Sequence, residues 1–162
     1  MGMRDEAKWQ RTVRENIEKH GWFGQQVFDP DGKNPNFAYS VGFTKTLAAP
    51  EFIIFGLRRE LMHNMIWEVF HQIKAGQKVG HGQKWNDLLG GDFACYSFKC
   101  THADLFEEYA ASSKWFWNDQ GHNGEPEVYQ IVWPGAKDGL FPWDEGCDPY
   151  VISQQPMLFT RQ

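Results

Sequence analysis

One stretch limits what this chain can fold into more than any other, the run from Phe37 to Leu57. It opens Phe-Ala-Tyr-Ser-Val-Gly-Phe, passes through a short Thr/Lys/Ala link, and closes Pro50-Glu-Phe-Ile-Ile-Phe-Gly-Leu57. Phe52 to Phe55 is an unbroken apolar run of aromatic and β-branched residues ended by Gly56, which suits a strand covered on both faces. In the first half Phe37, Tyr39 and Val41 alternate with Ala38, Ser40 and Gly42, again a strand pattern. Pro50 has no N–H to give a ladder, and at a strand entry that loss costs least. The stretch therefore predicts two central strands joined by a short link.

The flanking segments supply what such strands need. Trp9, Val13 and Ile17 give a narrow apolar stripe to a helix over about residues 4–20, and Gly21 can end it. Trp22 to Phe28 reads as a strand, and Asp29-Pro-Asp-Gly-Lys-Asn-Pro35 as the turn of a hairpin into the Phe37 strand. Arg59 to Ala75 is the clearest helix, with a wide stripe from Leu61 to Ile73 and Gly76 as its stop.

Beyond it, Gln77 to Gly91 reads as a loop and Asp92 to Cys100 as a strand. Thr101-His-Ala-Asp104 matches a capping pattern before a short helix carrying Leu105, Phe106, Tyr109 and Ala110. Ser112 to Pro126 reads as irregular and Glu127 to Trp133 as a further strand. Pro134 to Gln162 reads as an irregular tail, with a last short strand at Tyr150 to Ser153. The order predicts an α+β fold: a single domain over 1–162, its core from about 21 to 162. A mainly antiparallel central sheet is covered by helices and followed by the irregular C-terminal tail.

Composition excludes several function classes. No apolar run approaches the roughly 20 residues of a membrane span, so no membrane partner is expected. The opening Met-Gly-Met-Arg-Asp-Glu lacks the apolar segment of a signal peptide, and a cytoplasmic location is the default expectation. A net charge of -5 argues against a surface that tracks phosphates, so no nucleic acid is expected. Three cysteines cannot all pair, and Cys95 and Cys100 within one strand cannot bridge each other; free thiols are expected.

No residue set declares a reaction. His63 and His71 lie two helical turns apart, roughly 12 Å, too far to share one zinc, and no metal or cofactor is expected. Cys147 sits among Asp144, Glu145 and Asp148, which would raise its pKa and dull a thiolate. Neither a Walker-type loop nor a dinucleotide fingerprint occurs. Trp115-Phe116-Trp117 cannot all face one core, which leaves at least one ring for a pocket or a partner. Glu51, at a strand start near the sheet rim, is expected to face water unless it serves a ligand.

A set of short motifs, from about His20 to the C-terminus, resembles the bacterial domain-of-unknown-function family 4262. They are Ala38-Tyr-Ser-Val-Gly42, Pro50-Glu51, Gly56-Leu57, Gln130-Ile-Val-Trp-Pro134, Asp138-Gly139, Pro142-Trp143 and Gln155-Pro156. That family often has an acidic residue directly after the position of Pro134, where this chain has Gly135. The resemblance implies a single domain and carries no activity. The strand, loop, Pro and apolar strand pattern is also similar to flavin-binding split barrels, at the level of pattern only.

The sequence leads to an expected site and an expected function class. Tyr39, Glu51 and Trp143 are expected to approach one cavity, with His63 as a fourth member, the tail serving as a lid. The function expected is binding of a small planar or nucleotide-like ligand in an aromatic-lined pocket. The alternative is an immunity-type or partner-neutralising protein that uses an acidic aromatic surface, and the third is an enzyme of unstated class.

Overall fold

The computed structural model describes residues 2–162, with side chains from Lys8 onward. Six strands, β1 (Phe23–Val27), β2 (Phe37–Val41), β3 (Glu51–Phe55), β4 (Gln83–Trp85), β5 (Cys95–Lys99) and β6 (Val128–Val132), form one sheet in the order β1-β2-β3-β6-β5-β4. Every neighbouring pair is antiparallel except β3 and β6, which run parallel. This is the expected α+β architecture.

The hairpin from β1 to β2 is set by Asp29. Its carboxylate accepts the backbone N–H groups of Asp31, Lys33 and Asn34, chiefly that of Asp31, and these bonds hold its pKa below the usual carboxylate value. β3 and β6, at the centre, are buried at all five positions each, as a strand covered on both faces must be.

Helices divide between the two faces by the strands' two-residue alternation. On one face the short link helix α2 (Phe43–Thr46) contributes Phe43, and α3 (Arg59–Lys74) lays Met62, Met65, Ile66, Val69 and Phe70 against Ala38, Phe52, Ile54 and Ile131. On the other, α1 (Gly2–His20) contributes Val13 and Ile17, α4 (Leu105–Glu108) contributes Leu105 and Phe106, and α5 (Ala111–Asp119) contributes Phe116. These meet Phe37, Tyr39, Val41, Ile53 and Phe55. Gly21 ends α1 at φ 94, and a Cβ there would stand 2.8 Å from the Phe70 ring, so the two helices meet over a residue that must lack a side chain.

Four local readings are corrected. Ser112 to Pro126 is not irregular, since α5 occupies its first half. Tyr150 to Ser153 is not a strand but most of α6 (Pro149–Ser153), a short helix with Pro149 at its start and the Asp148 carboxylate accepting the Tyr150 N–H. The Gln77–Gly91 loop contains the edge strand β4. Thr101 does not cap the following helix, which starts from Asp104 without a side-chain cap. No helix among the described residues is long and apolar enough to cross a membrane.

The C-terminal tail is fastened by two buried glutamines. Gln130 of β6 donates its amide to the Pro156 carbonyl at 2.8 Å and accepts the Leu158 N–H at 3.0 Å. Gln155 reciprocates, accepting the Trp133 N–H at 3.0 Å and donating to the Trp133 carbonyl at 2.9 Å. The Trp133 indole adds a bond to the Phe55 carbonyl. Side-chain amides thus supply here what a further strand would supply with backbone.

Candidate functional site

Glu51 is wholly buried at the start of β3, where the link from β2 folds back over it. Its Oε1 accepts the Ser40 hydroxyl at 2.7 Å and the Phe43 N–H at 3.0 Å, and its Oε2 accepts the Gly42 N–H at 2.8 Å. Burial pushes its carboxyl up to about 7, against the lowering influence of the Ser40 hydroxyl and the backbone donors. The expectation that Glu51 faces water is overturned. β3 lies between two strands, so its first residue has no open rim, and the donors of the Gly42 turn take the place of solvent.

The structure does not bring the four expected site residues together. Tyr39, Ile53, Gln130 and Phe98 are successive partners across the sheet, so Tyr39 and Phe98 share a face three strand spacings apart, roughly 14 Å. Trp143 packs edge-on against Phe98 at 5.4 Å, on the far side of β3 and β6 from Tyr39. The buried Tyr39 hydroxyl accepts the Ser112 N–H at 3.2 Å. His63 belongs to α3, on the opposite face, where it stacks on Trp22 at 5.2 Å; burial, then Arg59, lowers its pKa. A single cavity shared by Tyr39, Glu51, His63 and Trp143 is therefore not how this fold arranges them.

A different concavity collects aromatic rings. At the end of the sheet where β1 and β3 finish and β2 begins, a cavity of about 570 Å³ has Phe28, Phe37, Phe55 and Tyr109 among its lining residues. Phe37 and Tyr109 meet edge to face at 5.3 Å, and Phe55 meets Tyr109 likewise at 5.4 Å. Tyr39 stacks on Phe37 at 6.3 Å, one layer behind the wall. The charged groups of the lining are Asp29, Lys33 and Glu108. Asp29 is engaged with the turn, and Glu108 stands 3.4 Å from the His102 imidazole. Lys33 has no ion pair among the described residues.

Beside this cavity His102, Asp104 and Glu108 hold their ligand atoms within 4.8 Å of one another. Asp104 and Glu108 are exposed, and exposed acidic groups beside a histidine are common without an ion. Of the three aromatics at 115–117 only Phe116 is buried; Trp115 packs on Trp9 at 4.9 Å and Trp117 stacks on His122 at 3.9 Å. The thiols are no better placed for chemistry. Burial pushes Cys95 and Cys100 up to about 12, and it raises Cys147 together with Asp138, Asp148 and Asp144.

Fold and cavity together define an α+β domain with a mixed six-stranded sheet and an aromatic hollow at one end of its strands. The chain belongs to the family described as "Domain of unknown function (DUF4262)", whose model matches residues 16–148. No curated protein and no solved structure matches the chain.

The short motifs singled out in the sequence acquire physical roles in this fold, those up to residue 148 within the family match and Gln155 beyond it. Ser40, Gly42 and Glu51 form the buried carboxylate knot, while Gln130, Trp133 and Gln155 form the tail clamp. Gly56, at φ 80, lies where a Cβ would meet the Gln154 backbone at 2.7 Å. Of the cavity residues, Phe28 and Lys33 come from a turn and Tyr109 from a helix end, while Phe37 and Phe55 sit on strands one residue outside the motifs. In the sequence, Phe28 directly before the Asp-Pro-Asp-Gly turn and Tyr109 at the end of a short helix were the signals available.

Proposed function

We propose that this protein binds a small planar ligand carrying an anionic group, nucleotide-like in its chemistry, in the cavity between Phe28, Phe37, Phe55 and Tyr109. The observation that carries the reading is that aromatic walls and an unpaired lysine meet in one hollow of about 570 Å³. That volume lies within the roughly 300–1,000 Å³ of small-molecule sites. Flat rings give area at little entropic cost, and Lys33 selects the sign of the ligand's polar end. Asp29 is turned toward the backbone amides of its own turn and Glu108 toward His102, so Lys33 is the one cation among the described residues of the lining.

Native mass spectrometry of the purified protein, followed by a thermal-shift screen of planar carboxylates and phosphates, tests this. The expected result is a retained adduct, or a stabilising ligand whose effect is lost in Lys33→Glu and weakened in Tyr109→Ala. A wild-type protein that holds no adduct and responds to no planar anion would end the reading.

A second reading, a protein partner, draws on apolar exposure near the same end. Phe28 lines the cavity and is 43% exposed, while Tyr150 and Ile152 precede the lining residue Ser153, and Met157 follows the lining residue Pro156. Here the mass spectrum should instead contain a protein complex, and a Phe28→Ser, Tyr150→Ser pair should dissolve it.

A further inference from the structure

A second aromatic hollow lies on the same face of the sheet, over β5 toward the β4 edge. Tyr96, Phe98, Phe141, Trp143, Asp144 and Arg161 line a cavity of about 460 Å³. Phe141 and Trp143 stack in parallel at 5.1 Å, Tyr96 meets Phe141 edge-on at 5.1 Å, and Phe98 meets Trp143 edge-on at 5.4 Å. The Phe98–Phe159 stack at 4.4 Å fixes the chain two residues before Arg161.

The hollow already contains a cation. The Arg161 guanidinium stands 4.4 Å from the Trp143 ring centroid. Arg161 is exposed and has no ion pair or hydrogen bond among the described residues, so the aromatic contact is what holds it there. Asp144 adds a negative wall. One of its oxygens accepts the Phe141 N–H at 2.8 Å, and the other makes no hydrogen bond among the described residues. Aromatic faces and a carboxylate form the environment that favours a weakly hydrated, flat cation over a compact ammonium.

We propose that this hollow is a guanidinium-binding site and that Arg161 is its resident, displaceable occupant, giving way to the arginine-type group of a ligand. The site is independent of the cavity that contains Lys33. An occupant tethered two residues from its anchor raises the apparent dissociation constant of an outside guanidinium by occupying the wall itself. Removing Arg161 opens the site.

The probes are methylguanidinium and Nα-acetylarginine amide, at concentrations well below denaturing, with Nα-acetyllysine amide as the control. The readout is the Trp143 indole N–H resonance, assigned through Trp143→Phe. In Arg161→Ala, and equally in Arg161→Gln, both guanidinium probes should shift this resonance saturably and about tenfold more tightly than in wild type. The lysine analogue should bind more weakly. Asp144→Asn should weaken the guanidinium response without altering the fold seen by circular dichroism. The proposal is overturned if neither Arg161 variant responds, if wild type and variants respond alike, or if the lysine analogue matches arginine. A response by methylguanidinium alone would keep the site and assign it to small free cations.

Discussion

The Ser40 hydroxyl donates to Glu51 at 2.7 Å while accepting the Phe52 N–H at 2.9 Å, so one hydroxyl joins the buried carboxylate to the strand that carries it. The carboxyl titrates at about 7 because burial outweighs its donors. The folded protein therefore holds a proton that the unfolded chain, near the ordinary glutamate pKa of about 4.3, has released. Where the folded state binds more protons, stability falls as pH rises. The loss begins above about 4.3 and is complete above about 7, amounting to about 2–4 kcal/mol. Urea melts of wild type from pH 5 to 8 should show this slope, and Glu51→Gln should flatten it. A slope unchanged in Glu51→Gln would assign the titration to other groups.

Phe70 packs on Phe43 at 5.5 Å and covers Gly21, at the C-terminal end of the buried stripe of α3. Phe70→Ala should cost about 3–5 kcal/mol, the cost of emptying a core position. Lys74→Ala, on the exposed side of the same helix, should stay within about 0.5 kcal/mol. Denaturant midpoints compared at equal slope give both values, and similar costs would put the buried face elsewhere.

Legibility in the sequence followed how local each signal was. β2, β3 and α3 were plain because Phe52–Phe55 and the Leu61–Ile73 stripe encode their burial within one element. α5 was hidden because its buried residues are only Ser113 and Phe116, and consecutive aromatics mask any period. α6 spans a single turn and a half; its Asp148-Pro149 start was readable, yet Val151 and Ile152 favoured a strand. The burial of Glu51 could not be read at position 51, since its donors lie eight to eleven residues earlier. The site was least legible, because both hollows are assembled from segments distant in the chain.

All three cysteines are free, with Cys95 and Cys147 buried. Since burial pushes Cys95 and Cys100 up to about 12, neither offers appreciable thiolate at neutral pH. A thiol reagent should react slowly with the native protein and should count three thiols in denaturant without reductant. A count of one in denaturant would reveal a disulfide.

Gln155→Ala removes both partners of the buried Trp133 backbone. An orphaned buried polar group costs about 1–3 kcal/mol, so this variant should lose that much or more. Gln130→Met keeps the volume but frees the Leu158 amide, which should then exchange with solvent markedly faster. Unchanged protection of Leu158 would show that the tail is held by its apolar contacts alone.

The strand that completes the sheet is made late. β6 enters between β3 and β5, so its five residues join a β1-β2-β3 half to a β5-β4 half that share no strand pair without it. On a ribosome, the apolar edge of β3 is synthesised more than seventy residues before its partner. That edge is a template for any other strand meanwhile. In the interval α3, the next helix to emerge, can cover one face of β3 but not that edge, so the yield of native protein should depend on how soon β6 pairs.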